Sequence, residues 1–335
     1  MLTVLIAIIL AFSLVVITMP RTIKILKEKD IMGIDVHKPD KPKVAKGGGF
    51  VVLFAMVTSL LIVIGITTFQ GQEIDTGLLA ALVSILLAGM IGLLDDNLDF
   101  RNRTKIVLPM LASIPMMAMQ VGTTTMSIPL LGTVDLGVLY PLVVIPLMMT
   151  FIIDSTNMYG GMNGLEAGLA AVNSGSLILY VVLLSFIDAT ETSQALLDSG
   201  VVAGALLGAC LAFLIFNRFP AKILPGDVGR LPMGAAIAAA LILGNMDRLA
   251  IFLYLPFGLN FLLYIMYRTY VHRKGIEYVK FASPREDGTL EVVGPFTMYW
   301  ILPHMSDNVT EKRNVSLLIL IQAIIAFSAV FLLVL

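Results

Sequence analysis

The chain alternates long apolar segments with short polar gaps, and ten of the apolar segments approach the length of a membrane-spanning helix. About 20 mostly apolar residues are needed to cross a bilayer as a helix, within a range of about 17 to 25. The segments are 2–19, 50–68, 77–94, 106–120, 138–153, 165–187, 200–216, 231–245, 249–267 and 315–335. The pattern predicts an all-α polytopic membrane protein with about ten transmembrane helices, the fourth and eighth being the shortest.

The longest polar gap, 268–314, carries structure of its own. Two β-prone runs, 278–281 and 289–293, flank a turn at Asp287-Gly288, which is typical of a short β-hairpin. The stretch Pro295 to Met305 follows and reads as an interfacial helix. We therefore expect a cytoplasmic hairpin and an interfacial helix between the ninth and tenth transmembrane helices.

Composition supports a membrane protein with one integral-membrane domain over 1–335. Of its 335 residues 58% are hydrophobic and only 13% charged, whereas soluble globular proteins carry about 25% charged residues. The single cysteine, Cys210, excludes an intramolecular disulfide framework and a cysteine-based metal cluster. We expect the lipid bilayer, and no nucleic acid, among its partners.

Positive charge occupies alternate gaps. Of the 22 Lys and Arg residues, all but Arg248 fall in the gaps 20–49, 95–105, 154–164, 217–230 and 268–314. Because short basic loops stay on the cytoplasmic side of a membrane, this pattern predicts a multi-pass protein of the cell membrane with both termini outside. The same five gaps hold the clustered polar motifs, so the active site is expected on the cytoplasmic face.

Three glycines repeat at intervals of four in the seventh segment, at Gly200, Gly204 and Gly208. Small residues at this spacing let two helices approach closely. The stripe indicates either packing inside the bundle or a homodimer.

The first polar motif places adjacent acids at the end of the third segment, in Gly92-Leu93-Leu94-Asp95-Asp96. A charge near the hydrocarbon is costly unless it is paired, hydrated or metal-bound. With Asp99 and Lys105 further on, acids would face a metal and bases would face phosphate oxygens. Acids that are merely hydrated at a helix end are the alternative.

Two further motifs follow. The run Asp154 to Gly164 is dense in amides and glycines, which suits either a substrate pocket or an ordinary turn. In Asn217 to Arg230, the lone acid Asp227 stands between two glycines. It could be a helix N-cap or a rigidly held Mg²⁺ ligand.

Taken together, these motifs resemble the polyprenyl-phosphate N-acetylhexosamine-1-phosphate transferases, and in particular their archaeal and eukaryotic branch. The similarity is carried by Asp95 to Pro109, Asn157 to Gly168 and Phe219 to Gly234, with Glu311-Lys312-Arg313-Asn314 before the last segment. It extends over nearly the whole chain. The resemblance implies transfer of GlcNAc-1-phosphate from UDP-GlcNAc to a polyprenyl phosphate of the dolichyl type, releasing UMP.

By position, the resemblance implies that Asp227 and Asn157 bind Mg²⁺, with Mn²⁺ as an alternative. Lys105 would neutralise phosphate charge, and Asp95 and Asp96 would order the lipid phosphate or its water. A strong general base is not required, because a phosphate monoester has a second pKa of about 6 and is mostly ionised at pH 7.

The remaining substrate-binding assignments rest on the same resemblance. Asn163 is expected near the uracil, and the other residues are Asp99, Glu166, His272, Arg273, Lys280 and Arg285. In the last cytoplasmic gap the chain departs from the histidine or arginine clusters of its relatives, so these basic residues either contact phosphate or face lipid headgroups. Asp154 stands where the family often has an amide, and it would either contact the metal or be hydrated.

A transporter is the alternative from a different class, with Asp95, Asp96 and Asp227 forming a cation or proton site. Transporter sites usually lie near the bilayer midplane, often between inverted repeats. Here the polar residues lie at the ends of the apolar segments and no repeat is visible, which favours the transferase.

Overall fold

The computed structural model describes residues 1–73, 75–128, 132–187 and 193–334, so part of the predicted outer gap at 188–199 lies outside the described residues. Its helices in chain order are α1 (Leu2–Glu28), α2 (Gly49–Phe69), α3 (Thr76–Leu98), α4 (Asn102–Leu111), α5 (Ile114–Ala118), α6 (Ile145–Met158), α7 (Leu165–Ile187), α8 (Gln194–Asn217), α9 (Asp227–Leu243), α10 (Asp247–Lys274), α11 (Met298–Met305) and α12 (Glu311–Val334). A π-helical turn over Tyr140–Val144 leads directly into α6.

The helices confirm an all-α polytopic membrane protein. In the described part of the chain, eight are long and apolar enough to cross a bilayer: α1, α2, α3, α6 with its π-helical turn, α7, α8, α10 and α12. The two shortest predicted segments differ. Segment 106–120 is divided between α4 and α5, because Pro115 lacks an N–H and favours the first turn of a new helix. Segment 231–245 lies largely in α9, which has 17 residues, so the count of ten stays a prediction.

Helix α9 forms the centre of the bundle. It packs against α3, α6 and α8, and its residues from Leu231 to Leu243 are all buried. A helix that is apolar on every face belongs in the interior of a bundle. The alanines at 235, 236 and 238–240 keep it thin, which lets the surrounding helices approach its backbone.

The glycine stripe of α8 packs inside the bundle against α1. A Cβ on Gly204 would lie 3.0 Å from the backbone carbonyl oxygen of Val4, and one on Gly208 would overlap the backbone of Ile8. Because this surface is already covered by α1, the stripe offers no support for a homodimer, which stays a prediction.

Three small sheets connect the loops. Strand β2 (Lys43–Lys46) pairs antiparallel with β1 (Met32–Ile34) and parallel with β5 (Ile223–Leu224), with Ala45 opposite Ile223. Strands β3 (Thr125–Ile128) and β4 (Gly132–Asp135) form a second sheet. The first sheet matters for function because it joins two predicted cytoplasmic gaps that are far apart in sequence.

The predicted hairpin is present but shorter than expected. Its strands are β6 (Ser283–Pro284) and β7 (Leu290–Glu291). The expectation of a strand at 278–281 is wrong: the Tyr267 hydroxyl donates to the Val279 carbonyl at 3.1 Å and accepts from its N–H at 3.0 Å. These bonds occupy backbone groups that a sheet would use.

The predicted helix at 295–305 forms as α11, but its aromatic side chains face the protein. Trp300 is buried, and its ring meets that of Tyr267 edge-on with 5.4 Å between centroids. Tyr299 is buried as well. Tertiary packing therefore takes the place of the lipid interface that the sequence suggested for these two residues.

The packing of α1 on α8 can be tested with Gly208→Ala. The added methyl group would overlap the Ile8 backbone, so we expect a loss of at least ~1 kcal/mol of stability from overpacking. The measurement is thermal unfolding of the detergent-solubilised protein. Gly175→Ala in α7 is the matched control, because its Cβ would meet nothing closer than 4.0 Å and alanine favours the helix. Equal stability of the two variants would contradict the described contact.

Candidate functional site

A cavity of about 910 Å³ lies where the ends of α3, α6, α9 and α10 meet the loops of the predicted cytoplasmic face. Acids and amides from α3, α6, α9 and the α6–α7 loop form one part of its wall. Aromatic residues form another, namely Phe261, Tyr264, Tyr267, Tyr278, Phe281, Tyr299 and Trp300. Apolar residues of α4 and α6, including Ile106, Leu147 and Phe151, complete it. The cavity therefore combines charged, aromatic and apolar surfaces.

The first acid of α3 forms an ion pair with the predicted cation. Asp95 is buried, and its Oδ1 lies 2.9 Å from Lys105 Nζ and accepts from the Phe100 N–H at 3.0 Å. Lys105 also lies 3.4 Å from Asp99, whose side chain is almost fully exposed. Helix α3 ends at Leu98, and this end lets the chain turn back and bring Lys105 to the acids.

The second acid, Asp96, stabilises the start of α9. Its Oδ2 accepts from the Val228 N–H at 3.0 Å, which satisfies a helix-terminal donor that the N-cap residue Gly226 cannot reach for lack of a side chain. Its Oδ1 lies 2.9 Å from Lys46 Nζ. Asp96 thus connects α3, α9 and the end of β2, and both of its oxygens have protein partners.

Close backbone packing holds the end of α3 and the start of α2 against the first turn of α9. A Cβ on Gly92 would overlap the carbonyl group of Asp227, and one on Gly49 would overlap the backbone of Gly229. Gly92 of the first motif, Gly229 of the third and Gly49 at the start of α2 are therefore required by contact between α2, α3 and the first turn of α9. This contact places Asp95 and Asp227 in the wall of the same cavity.

Asp227 is the first residue of α9, and Gly226 is its N-cap. The N-cap alternative for Asp227 is therefore wrong, and its carboxylate is left to line the cavity together with Asn157 of α6. Asp227 Oδ1 lies 3.5 Å from Arg230 NH1. Carboxylate and amide oxygens are ligands that Mg²⁺ accepts alongside phosphate and water, so this donor set fits a divalent cation.

Glu166 holds the glycine turn that precedes α7. Its side chain is buried, and Oε1 accepts from the Gly161 N–H at 2.8 Å and lies 3.0 Å from Arg230 NH2. A Cβ on Gly160 would crowd the Glu166 side chain. Glu166 thus joins the α6–α7 loop to α9 and is positioned by two partners.

Asn163 belongs to a buried polar network that joins four segments. Its Oδ1 accepts from Lys38 Nζ at 2.7 Å and from the Ala221 N–H at 2.9 Å, while its own N–H donates to Glu311 Oε1 at 2.7 Å. Lys38 also pairs with Asp35 at 2.8 Å and with Glu311 at 2.5 Å. Each buried charge therefore has a partner, which is the condition for placing charges in an interior.

A second group of metal-binding residue types occurs in this network, namely Asp35, His37 and Glu311, with ligand atoms within 4.8 Å of one another. The Lys38 ammonium contacts both carboxylates. It already provides the positive charge that a metal would supply, so the Asp227 side of the cavity is the better fit for a divalent cation.

His37 supports an aromatic wall of the cavity. Its ring meets Phe281 edge-on with 5.7 Å between centroids. Phe281 in turn lies opposite Gly161, close to where a side chain there would begin. Burial lowers the pKa of His37 to about 4, an effect that the neighbouring Asp35 only partly opposes. The imidazole is therefore neutral at pH 7.

Most of the predicted site residues line this cavity, but three do not. The cavity includes Asp95, Asp96, Asp99, Lys105, Asn157, Asn163, Glu166, Asp227 and Lys280. His272 lies in a separate depression of about 390 Å³ with Arg268 and Tyr278, and Arg273 is exposed outside both. Arg285 pairs with Glu291 of the hairpin at 3.7 Å and with Asp307, after α11, at 3.1 Å. Helix α10 continues to Lys274 and carries His272 and Arg273 past the cavity.

Sequence reasoning missed several residues of the site. Arg230 ends the third motif and Lys46 lies in the basic gap 20–49, but nothing in the sequence says which acid each would meet. Lys38 and Phe281 gave no signal, because their importance depends on contacts with segments far away in the chain. Asp154, for which the sequence left a metal contact or hydration open, lines the cavity as well.

The fold and the cavity define a class: a polytopic membrane protein with a charge-compensated site at the helix ends of one face. A sequence profile of glycosyl transferase family 4 matches residues 78–245, half of the chain. The chain belongs to this family.

Named relatives agree with the family. A protein of Saccharolobus solfataricus assigned by name to the UDP-N-acetylglucosamine–dolichyl-phosphate N-acetylglucosaminephosphotransferases is 32% identical over 282 residues, which cover 84% of this chain and 83% of the relative. The Dictyostelium discoideum protein of that name is 27% identical, covering 72% of this chain and 67% of the relative. The phospho-N-acetylmuramoyl-pentapeptide-transferase of Shouchella clausii is 32% identical, covering 74% and 77%.

The buried imidazole predicts a pH dependence of stability. The folded pKa of His37 is about 4 and its ordinary value is 6.5, so the unfolded chain takes up the proton first as pH falls. Stability should therefore decrease between about pH 6.5 and 4, by at most ~3 kcal/mol from this group. Thermal unfolding across this range should show a smaller decrease for His37→Phe than for the wild type. The exposed His304 serves as control: His304→Phe should follow the wild type, and a His37→Phe curve parallel to both would contradict the prediction.

Proposed function

We propose that the chain transfers GlcNAc-1-phosphate from UDP-GlcNAc to a polyprenyl phosphate of the dolichyl type, giving GlcNAc-diphosphate-lipid and UMP. The observation that carries the proposal is a single cavity in which carboxylates and an amide stand beside paired cations, next to apolar and aromatic walls. A sugar nucleotide needs the charged and aromatic surfaces, and the hydrocarbon tail of a lipid phosphate needs the apolar one. The names of the archaeal and Dictyostelium relatives support the same reaction.

Asp227 and Asn157 are the proposed ligands of Mg²⁺, with Mn²⁺ as an alternative. When bound there, the cation would neutralise charge on the diphosphate. A ligand set of one carboxylate and one amide leaves room for phosphate oxygens and water, as Mg²⁺ requires.

Lys105 and Asp95 serve the reacting phosphates. The lysine is held between Asp95 and Asp99 at the cavity edge, where it would compensate phosphate charge during transfer. The acceptor is a phosphate monoester that is mostly ionised at pH 7, so Asp95 acts by orienting it. Phosphoryl transfer depends chiefly on positioning and charge stabilisation. Asp96 contributes indirectly through the start of α9.

The remaining residues would hold the sugar nucleotide. Glu166 and Asn163 fix the loop 159–164, and Lys280 and Phe281 line the cavity next to it. An aromatic ring in the cavity wall offers a surface on which a base can stack. Asn163 Oδ1 already has two protein donors, which leaves its amide N–H₂ for the uracil.

The acceptor's hydrocarbon tail would lie along the apolar side of the cavity. Ile106 of α4 and Leu147 and Phe151 of α6 line it and are 59%, 58% and 40% exposed. Exposed apolar side chains on membrane helices face lipid, so a tail lying there remains in the bilayer while its phosphate reaches Lys105.

The proposed orientation puts this cavity on the cytoplasmic face and both termini outside. It rests on the basic gaps, since Lys46, Lys105 and Lys280 line the cavity and all lie in gaps that the charge bias assigns to the cytoplasm. UDP-sugars are cytoplasmic, which agrees with this arrangement. The transporter alternative has no support from the relatives named above, each of which carries a transferase name.

Turnover is the direct test. Purified protein with UDP-GlcNAc, dolichyl phosphate and Mg²⁺ should release UMP, and Asp227→Ala should reduce the rate at least ~100-fold, because even residues that only support metal ligands are worth 10- to 100-fold. Asp287→Ala in the exposed hairpin turn is the control and should retain activity. If the wild type released no UMP from any UDP-sugar, the proposal would be wrong. Full activity of Asp227→Ala would remove this residue from the site.

Topology can be checked with single cysteines at Ser283 and Thr124, two exposed positions that the proposed orientation assigns to opposite faces. The native Cys210 is buried, so it should not react with a membrane-impermeant maleimide. In intact cells, Thr124→Cys should be labelled from outside, whereas Ser283→Cys should be labelled only after the membrane is opened. The reverse pattern would overturn the orientation.

A further inference from the structure

Arg230 is a partly exposed cation in the wall of the cavity. It ends the third sequence motif, which suggested no role for it. It lies one turn after Asp227 on α9 and lines the cavity with a side chain that is 25% exposed. Its NH2 lies 3.0 Å from Glu166 Oε1, and its NH1 lies 3.5 Å from Asp227 Oδ1. Arg230 therefore connects the proposed metal ligand with the residue that holds the glycine turn.

The two contacts of Arg230 differ in strength. The contact with Glu166 has the length of a charge-assisted hydrogen bond, whereas the contact with Asp227 is at the long limit. Glu166 is buried and fixed by the Gly161 N–H as well, so it is a firm anchor. Asp227 is the partner that Arg230 can exchange.

Arg230 also has donors to spare. A guanidinium carries five N–H groups in a rigid fork, and no residue in the described part of the chain accepts from its Nε. By comparison, Lys46 and Lys105 each lie 2.9 Å from an acid of α3. Arg230 is thus a fixed cation with unused hydrogen-bonding capacity, next to the carboxylate that would hold a metal-bound diphosphate.

We propose that Arg230 positions the diphosphate of the sugar nucleotide. Glu166 anchors one terminal nitrogen, while the nitrogen facing Asp227 donates to a diphosphate oxygen when that carboxylate serves the metal. The fork geometry suits two-point contact with phosphate in a way that the lysine ammonium does not. This inference rests on the proposed function, and it assigns Arg230 to binding and orientation of the donor substrate.

The experiment compares two ligands that differ only in the diphosphate. Binding of UDP and of uridine, each with Mg²⁺ present, is measured by calorimetry on purified wild type, R230Q and R230K. For R230Q we expect UDP to bind about ten- to a hundredfold more weakly and uridine to bind as it does to the wild type. R230K keeps the charge and should lose less UDP affinity than R230Q. Arg313 is exposed on α12 and away from the cavity, so R313Q should match the wild type with both ligands.

The outcomes separate this inference from the proposed function. If the wild type binds UDP and releases UMP but R230Q keeps the wild-type ratio of UDP to uridine affinity, only the role of Arg230 is overturned. Parallel losses of UDP and uridine affinity would show that Arg230 merely supports the glycine turn, which also overturns it. A wild type that binds no UDP would overturn both. Should R230Q not fold, the UDP-to-uridine ratio of R230K decides in the same way.

Discussion

The site depends on the contact between the end of α3 and the first turn of α9. Here Gly92 lets the two backbones touch, and Asp96 accepts from the Val228 N–H at 3.0 Å. Because α9 is the central helix of the bundle, its position sets that of its neighbours α6 and α8 as well. The same contact brings Asp95 and Asp227 together in one cavity, although they are 132 positions apart by their residue numbers.

Charge compensation organises the rest of the cavity. Acids from α3, α7 and α9 would repel one another, and the cost is offset because Lys105, Lys46 and Arg230 approach from different segments. Lys38 does the same for Asp35 and Glu311. Three of these cations, Lys38, Lys46 and Arg230, each pair with an acid from a segment far away in the chain. Lys105 is different, because it pairs with Asp95 of the neighbouring helix α3. These ion pairs therefore hold together loops that the covalent chain leaves far apart, and they present a mixed-charge surface suited to a metal-bound diphosphate.

Much of the site could be predicted because its acids and amides are concentrated in three short motifs. Nine of the predicted residues line one cavity. Three basic residues of the last gap were the exception: His272 and Arg273 follow the helical continuation of α10, and Arg285 pairs with Glu291 of the hairpin and with Asp307. A cation in a long loop can point in many directions, so its partner is decided by where the loop packs. The prediction of a strand at 278–281 was wrong for a similar reason. The Tyr267 hydroxyl, from an earlier turn of α10, forms the hydrogen bonds that the Val279 backbone would make in a sheet.

The sequence by itself determined the membrane class, the residues of the three polar motifs, and the family resemblance that the profile match confirms. These properties depend on local composition and on residues close together in the chain. Only the tertiary structure decided that the glycine stripe of α8 packs on α1, that Asp96 accepts from the first turn of α9, that Arg230 pairs with Glu166, and that Lys38 binds Asn163. Each of these is a contact between distant segments, and such contacts follow from how the whole bundle packs.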